Sequence, residues 1–213
     1  MTLGVLGGTF DPIHLGHVAA ANAAQQALSL ESILLIPSRI PPHRTESVSA
    51  SAEDRIAMAR LAAAERDGWS ASRIELDREG PSYTYDTLVE IQEGMPDGSQ
   101  IFFITGADAF AEIATWSRYP AVLDLAYFVV VSRPGITLDS LRERVPSAFS
   151  RPSLAKTRVI LVEAHTPDIS STDIRRRVRA GHSLSGYVPD SVADYIRDHR
   201  LYVGPQKAQT AQN

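Results

Sequence analysis

The chain has 213 residues, 21 basic against 25 acidic side chains, a formal net charge of −4 and no cysteine. The missing thiols exclude disulfide scaffolds, thiolate zinc sites, iron–sulfur clusters and cysteine nucleophiles. The mild acidity disfavours a protein that coats nucleic acid, and a hydrophobic content of 44% fits a folded chain with a proper core.

In chain order, Leu3–Leu6 reads as a buried strand and His17–Leu28 as a helix. Ile33–Ile36 is a second strand, followed by the irregular stretch Arg39–Ala52 and a helix over Glu53–Glu65. Arg73–Leu76 is a weaker strand candidate, and Tyr83–Glu93 has helical length and composition. Then come a strand at Ile101–Thr105, a helix at Ala107–Thr115 and a strand at Tyr127–Ser132. The irregular Arg133–Lys156 precedes a strand at Val159–Val162, a helix at Thr172–Ala180 and a short helix over 190–200 behind Pro189. The polar tail Gly204–Asn213 lacks apolar periodicity and is expected to be disordered.

Short apolar runs bounded by Gly, Pro or Ser read as buried strands. Their alternation with helices predicts an α/β fold, a Rossmann-like doubly wound parallel sheet with helices on both faces. It is read as one domain over residues 1–203. In such sheets ligands bind beyond the carboxyl ends of the strands, where strand order reverses. The longest apolar run, Leu125–Val131, is far short of the ~20 residues a membrane helix needs. The start MTLGVLGG has no basic n-region. A soluble cytoplasmic protein is expected, with no membrane or nucleic-acid partner.

The most informative segment follows the first strand: Gly7-Gly8-Thr9-Phe10-Asp11-Pro12-Ile13-His14-Leu15-Gly16-His17. Two glycines let backbone approach a phosphate closely. The helix start beyond them offers free N–H groups and a positive dipole end. His14 and His17, three apart, are expected to share a helical face. A metal pair is the other reading, but no third ligand stands nearby. There is no G-x-x-x-x-G-K-[ST], so this is not a P-loop. The glycines do not form G-x-G-x-x-G and no acid closes the second strand at Ile36-Pro37-Ser38, which disfavours an NAD-binding dehydrogenase. Further on, Ser170 or Ser171 is an N-cap candidate before Arg175, whose fork suits phosphate. Only Lys156 and Lys207 are lysines, and neither lies in a motif. Phosphate chemistry therefore falls to Arg, His and backbone N–H groups.

The first segment resembles the [T/S]-x-x-H-x-G-H signature of the nucleotidylyltransferase superfamily, and at full length the nicotinate-nucleotide adenylyltransferase family. Three further segments are similar to elements of that family: Pro41-Pro42-His43-Arg44, Ser82-Tyr83-Thr84-Tyr85-Asp86-Thr87-Leu88, and Ile169-Ser170-Ser171-Thr172-Asp173-Ile174-Arg175. The resemblance covers roughly Leu3 to Val203. It implies adenylyl transfer from ATP to nicotinate mononucleotide, with Mg²⁺ accompanying ATP. It implies ATP contacts for Gly7, Gly8, Thr9, Phe10, His14, His17, Arg44, Ile169, Ser170, Ser171, Thr172 and Arg175, of which His14, His17 and Arg175 are catalytic. On the nicotinate-nucleotide side it implies Thr84 and the backbone near Tyr85 for the ring and its carboxylate, and Asp108 for ribose hydroxyls. There Trp116 is expected to stack on the pyridine, with Arg133 nearby. A nicotinamide-mononucleotide, pantetheine-phosphate or cytidylyl transferase is the runner-up. A nucleotide-binding regulator without activity predicts the loss of a motif His or Arg, and all are present.

Overall fold

The computed structural model describes residues 1–41, 48–132, 136–149 and 158–203. Six strands form one parallel sheet: β1 (Thr2–Gly8), β2 (Ser32–Pro37), β3 (Trp69–Ala71), β4 (Gln100–Gly106), β5 (Tyr127–Ser132) and β6 (Val159–Glu163). Their spatial order is β3-β2-β1-β4-β5-β6. β1 is central and pairs with β2 from Leu3↔Ser32 to Gly8↔Pro37, and with β4 from Thr2↔Gln100 to Leu6↔Ile104. The chain runs outward from β1 in one direction, then returns and runs outward in the other. The crevice between the carboxyl ends of β1 and β4 is therefore the topological switch point.

Side-chain alternation along each strand feeds two cores. Leu6, Ile33, Leu35, Phe102, Ile104, Val129 and Val131 face one layer. That layer holds α1 (Leu15–Leu28), α2 (Ala52–Ala64), α8 (Ser171–Arg179) and α9 (Asp190–Asp198). Leu3, Val5, Ile36, Ile101, Phe103, Phe128 and Val130 face the other. There lie α4 (Thr84–Glu93), α5 (Ala107–Ala111), α6 (Leu138–Arg144) and α7 (Pro146–Phe149). A sheet buried on both sides must have apolar residues at consecutive positions, which is why five strands read as unbroken apolar runs.

The structure corrects the expected strand over Arg73–Leu76. The edge strand is β3, which ends before it, and α3 (Ile74–Asp77) occupies the segment. Gly68, at φ 75°, turns the chain into β3, and Ser72 Oγ accepts from the Ile74 N–H to start the helical turn. Arg73 is drawn outward by Glu53 at 2.7 Å and Asp77 at 3.2 Å. The expected helix over Ala107–Thr115 is α5 followed by a separate 3₁₀ turn at Ile113–Thr115. Within the irregular stretch, α6 starts at a reciprocal cap between Thr137 and Ser140. The tail Gly204–Asn213 lies outside the described residues. No helix among the described residues is long and apolar enough to cross a membrane.

Candidate active site

A cleft of about 580 Å³ opens at the switch point, lined by residues that leave β1, β2 and β4 and by the starts of α1 and α4. Glycine serves two different purposes at its floor. A Cβ on Gly8 would stand 2.9 Å from the Phe10 ring, so the loop closes only without one. A Cβ on Gly7 would meet nothing nearer than the Phe103 ring at 4.0 Å, and on Gly106 nothing within 4 Å. There glycine keeps the cleft open. The chain reverses at Phe10, a buried residue held at φ 49°, a conformation that non-glycine residues adopt at a cost.

His14 does not share the helical face with His17. It is the extended N-cap of α1, and the two imidazoles cap reciprocally. The His14 N–H donates to His17 Nδ1 at 3.3 Å, and the His17 N–H to His14 Nδ1 at 3.4 Å. The rings stack with centroids 3.7 Å apart. A backbone N–H can only donate, so each Nδ1 is unprotonated and each neutral ring carries its proton on Nε2. Burial lowers the His14 pKa to about 4. Burial also holds His17 well below the usual histidine value, with a further push from the neighbouring His14. Near neutral pH the site therefore presents two uncharged Nε2–H donors. Gly16 permits the stack, since a Cβ there would lie 3.0 Å from His14 Nδ1 and 3.4 Å from the Pro167 carbonyl.

The loop is braced from behind. Arg55 on α2 donates to the carbonyls of Thr9 at 2.9 Å and Ser38 at 2.5 Å. Ser170 caps α8 by accepting from the Asp173 N–H, and Ser171 Oγ donates to the Pro12 carbonyl at 2.9 Å. Arg175 is buried, with Nη1 donating to the Asp11 carbonyl at 2.8 Å and Nη2 to Thr172 Oγ1 at 3.1 Å.

Gly7, Gly8, Thr9, His14, His17, Thr84, Trp116 and Ile169 line the cleft together. Phe10, Tyr85, Asp108, Ser170, Ser171, Thr172 and Arg175 are not among its lining residues. Half-buried Tyr85 lies under the Arg118 guanidinium, 4.8 Å from ring centroid to Cζ. Asp108 is exposed in the first turn of α5. Trp116 stands edge-on to Phe103 with centroids 5.9 Å apart. Arg44, with its neighbours Pro42 and His43, and Arg133 lie outside the described residues.

The cleft is also lined by residues that no sequence motif marks, Ser38 and Glu75 among them. Ser38 Oγ is buried without a hydrogen-bond partner among the described residues, which leaves it available to a ligand. Its position directly after β2 was the available signal. Glu75 is buried beneath the start of α4 and accepts from Thr87 Oγ1 at 2.7 Å. Burial pushes its carboxyl up, against hydrogen bonds from Thr87 and Ser82 and the charge of Arg78. Nothing local in the sequence marks it as internal.

The cytidylyltransferase-like family model matches residues 5–177. A relative in Roseiflexus sp. (strain RS-1), named "Probable nicotinate-nucleotide adenylyltransferase", is 43% identical over 203 residues, covering 94% of this chain and 97% of that one. One of the same name in Desulfatibacillum aliphaticivorans is 40% identical over 219 residues, covering 95% and 100%. Among solved structures, a Plasmodium falciparum nicotinic acid mononucleotide adenylyltransferase complexed with NaAD has the same fold. It gives a TM-score of 0.71 at 18% identity, over 94% of this chain and 97% of that one. With a parallel sheet in this order and a histidine pair at its switch point, the chain belongs to the nicotinate-nucleotide adenylyltransferases of the cytidylyltransferase-like family.

Proposed function

We propose that the protein transfers the adenylyl group of ATP to the phosphate of nicotinate mononucleotide, giving deamido-NAD and pyrophosphate in one in-line step. A phosphate oxygen of the mononucleotide bonds to the α-phosphorus of ATP. The bond from that phosphorus to the bridging oxygen of pyrophosphate breaks. The attacking oxygen is already ionised at neutral pH, so no general base and no covalent enzyme intermediate are required. The protein's contribution is alignment and stabilisation of charge in the transition state.

The observation that carries this reading is the stacked His14–His17 pair at the switch point, each ring with Nδ1 occupied by backbone and Nε2–H left to donate. Two fixed neutral donors can hydrogen-bond the α-phosphate and its bridging oxygens as charge shifts onto the leaving group. Mutual capping sets the rings before substrate arrives, which is the preorganisation such stabilisation needs. The Gly7–Phe10 backbone, the helix start at Ile169, Ser170, Ser171 and Thr172, and the cations Arg44 and Arg175 are assigned to ATP. Thr84 and Trp116, which line the cleft beside Gly106 and Ala109, support seating the pyridine ring on that side. Tyr85, Asp108 and Arg133 complete the mononucleotide half. Mg²⁺ enters as part of the ATP substrate. Among the described residues no group of three or more His, Asp or Glu is placed to hold a metal, so its ligands are assigned to phosphate oxygens and water. The reaction is assigned to the cytoplasm, with ATP and the mononucleotide as its small-molecule partners.

The test is pyrophosphate release from ATP with nicotinate or nicotinamide mononucleotide offered separately. Release with the nicotinate form in clear preference is expected. No release with it, while another acceptor turns over, would overturn the assignment.

A further inference from the structure

Asp11 is the one fully buried carboxylate in the loop that carries the histidines, at 0% exposure. A charge so placed is retained only when several partners match it. Its partners come from three distant parts of the chain. Oδ2 accepts the Ser49 N–H at 2.8 Å and Oδ1 accepts the Ala50 N–H at 3.0 Å, just before α2 begins. The Arg175 Nη1 on α8 stands 3.7 Å from Oδ2 and also donates to the Asp11 carbonyl at 2.8 Å. Burial raises the phenol pKa of Tyr202, and the negative charge of Asp11 adds to that rise.

We propose that Asp11 is a positioning residue for the triphosphate half of the cleft. It fixes the histidine loop, the chain entering α2 and the start of α8 relative to one another. The inference rests on the proposed function only in taking these elements to face ATP. Asp11 acts through its neighbours and touches no reacting atom. Losing its charge removes the ion pair with Arg175, whose bonds to the residue-11 carbonyl and Thr172 stay, and releases one of two backbone N–H groups, because an Asn amide can accept one of those bonds but sets its own NH₂ against the other. A residue that merely held the fold together would, when changed, lower stability and weaken both substrates alike. A positioning residue for one half weakens one substrate.

The experiment is calorimetric titration of the full chain, wild type and Asp11→Asn, with MgATP and separately with nicotinate mononucleotide, alongside circular dichroism. MgATP affinity is expected to fall on the order of tenfold while mononucleotide affinity stays within about twofold. On an Arg175→Lys background the same change should cost much less, since the two residues share one interaction. Unchanged MgATP affinity in folded Asp11→Asn, or equal weakening of both ligands, would overturn the inference. Wild type that binds MgATP yet releases no pyrophosphate with the mononucleotide would overturn the proposed function alone. Should Asp11→Asn not fold, Ser49→Pro removes a single N–H from an exposed position. The same selective loss for MgATP is then expected, and its absence counts against the inference.

Discussion

On the β1 side of the switch point, His14, Asp11, Arg55 and Arg175 are buried, and hydrogen bonds tie Asp11 to Ala50 and Arg175, Arg55 to Thr9, and His14 to His17. On the β4 side, Thr84, Tyr85 and Trp116 are half-buried, Asp108 is exposed, and these residues sit in helix starts and directly after a 3₁₀ turn. The contrast follows the chemistry. Displacement at phosphorus needs donors held within a fraction of an ångström of their working positions, and only a braced, buried loop supplies that. Recognition of a flat ring tolerates more give, because stacking and a few backbone donors suffice. Changes to the histidines on the first side should act mainly on turnover, and changes on the second on the affinity of the mononucleotide.

The largest expected effect is at His17. His17→Ala should lose at least ~2.7 kcal/mol of transition-state stabilisation, about a hundredfold in kcat, as when one preorganised donor is removed. The circular dichroism spectrum should stay native. Turnover within tenfold of wild type would place the histidines outside the chemistry. Next comes Gly16→Ala, whose Cβ would press on His14 Nδ1 from 3.0 Å. Alanine gains roughly 1 kcal/mol of helix propensity over glycine, so thermal stability should hold while kcat falls on the order of tenfold. A parallel loss of both would make Gly16 a folding residue and weaken the contrast.

On the other side, Trp116→Ala should raise KM for the mononucleotide roughly tenfold and leave KM for ATP nearly unchanged, as expected when binding to one substrate is removed. Steady-state kinetics with each substrate varied in turn checks the split. The smallest effect is on stability against pH. His14 has its pKa lowered from 6.5 to about 4 and His17 is also lowered, so below 6.5 the unfolded chain takes up protons that the folded chain refuses. The contribution of the neutral pair is whole above pH 6.5 and is lost as pH falls towards 4. Urea midpoints should therefore drop between pH 7 and pH 5, and His14→Gln should flatten the slope. A midpoint indifferent to pH would mean that the rings are not held neutral.

Much of the fold was legible because a doubly covered sheet writes itself as apolar runs, and Leu3–Leu6, Ile33–Ile36, Ile101–Thr105, Tyr127–Ser132 and Val159–Val162 all lie within strands. The edge strand was not legible. Trp69-Ser70-Ala71 is too short to alternate, while Ile74 and Leu76 have strand spacing but sit on a helical turn. The glycines and histidines of the first loop stood out because their requirement is local. Asp11 did not stand out as a structural centre, since Asp-Pro also reads as an ordinary turn and its partners Ser49 and Arg175 lie 38 and 164 residues away. The same limit applies to Arg175. Its motif suggested phosphate contact, whereas its burial against Asp11 depends on how α8 docks on the first loop.

The claim on which the contrast turns is that the rigid half works through two neutral imidazoles with protons on Nε2. Long-range ¹H–¹⁵N correlation spectra of the imidazole rings, recorded from pH 8 down to pH 5.5, test it directly. His14 and His17 should both remain in the neutral Nε2–H form across that range. Either ring titrating near 6.5, or carrying its proton on Nδ1, would contradict it.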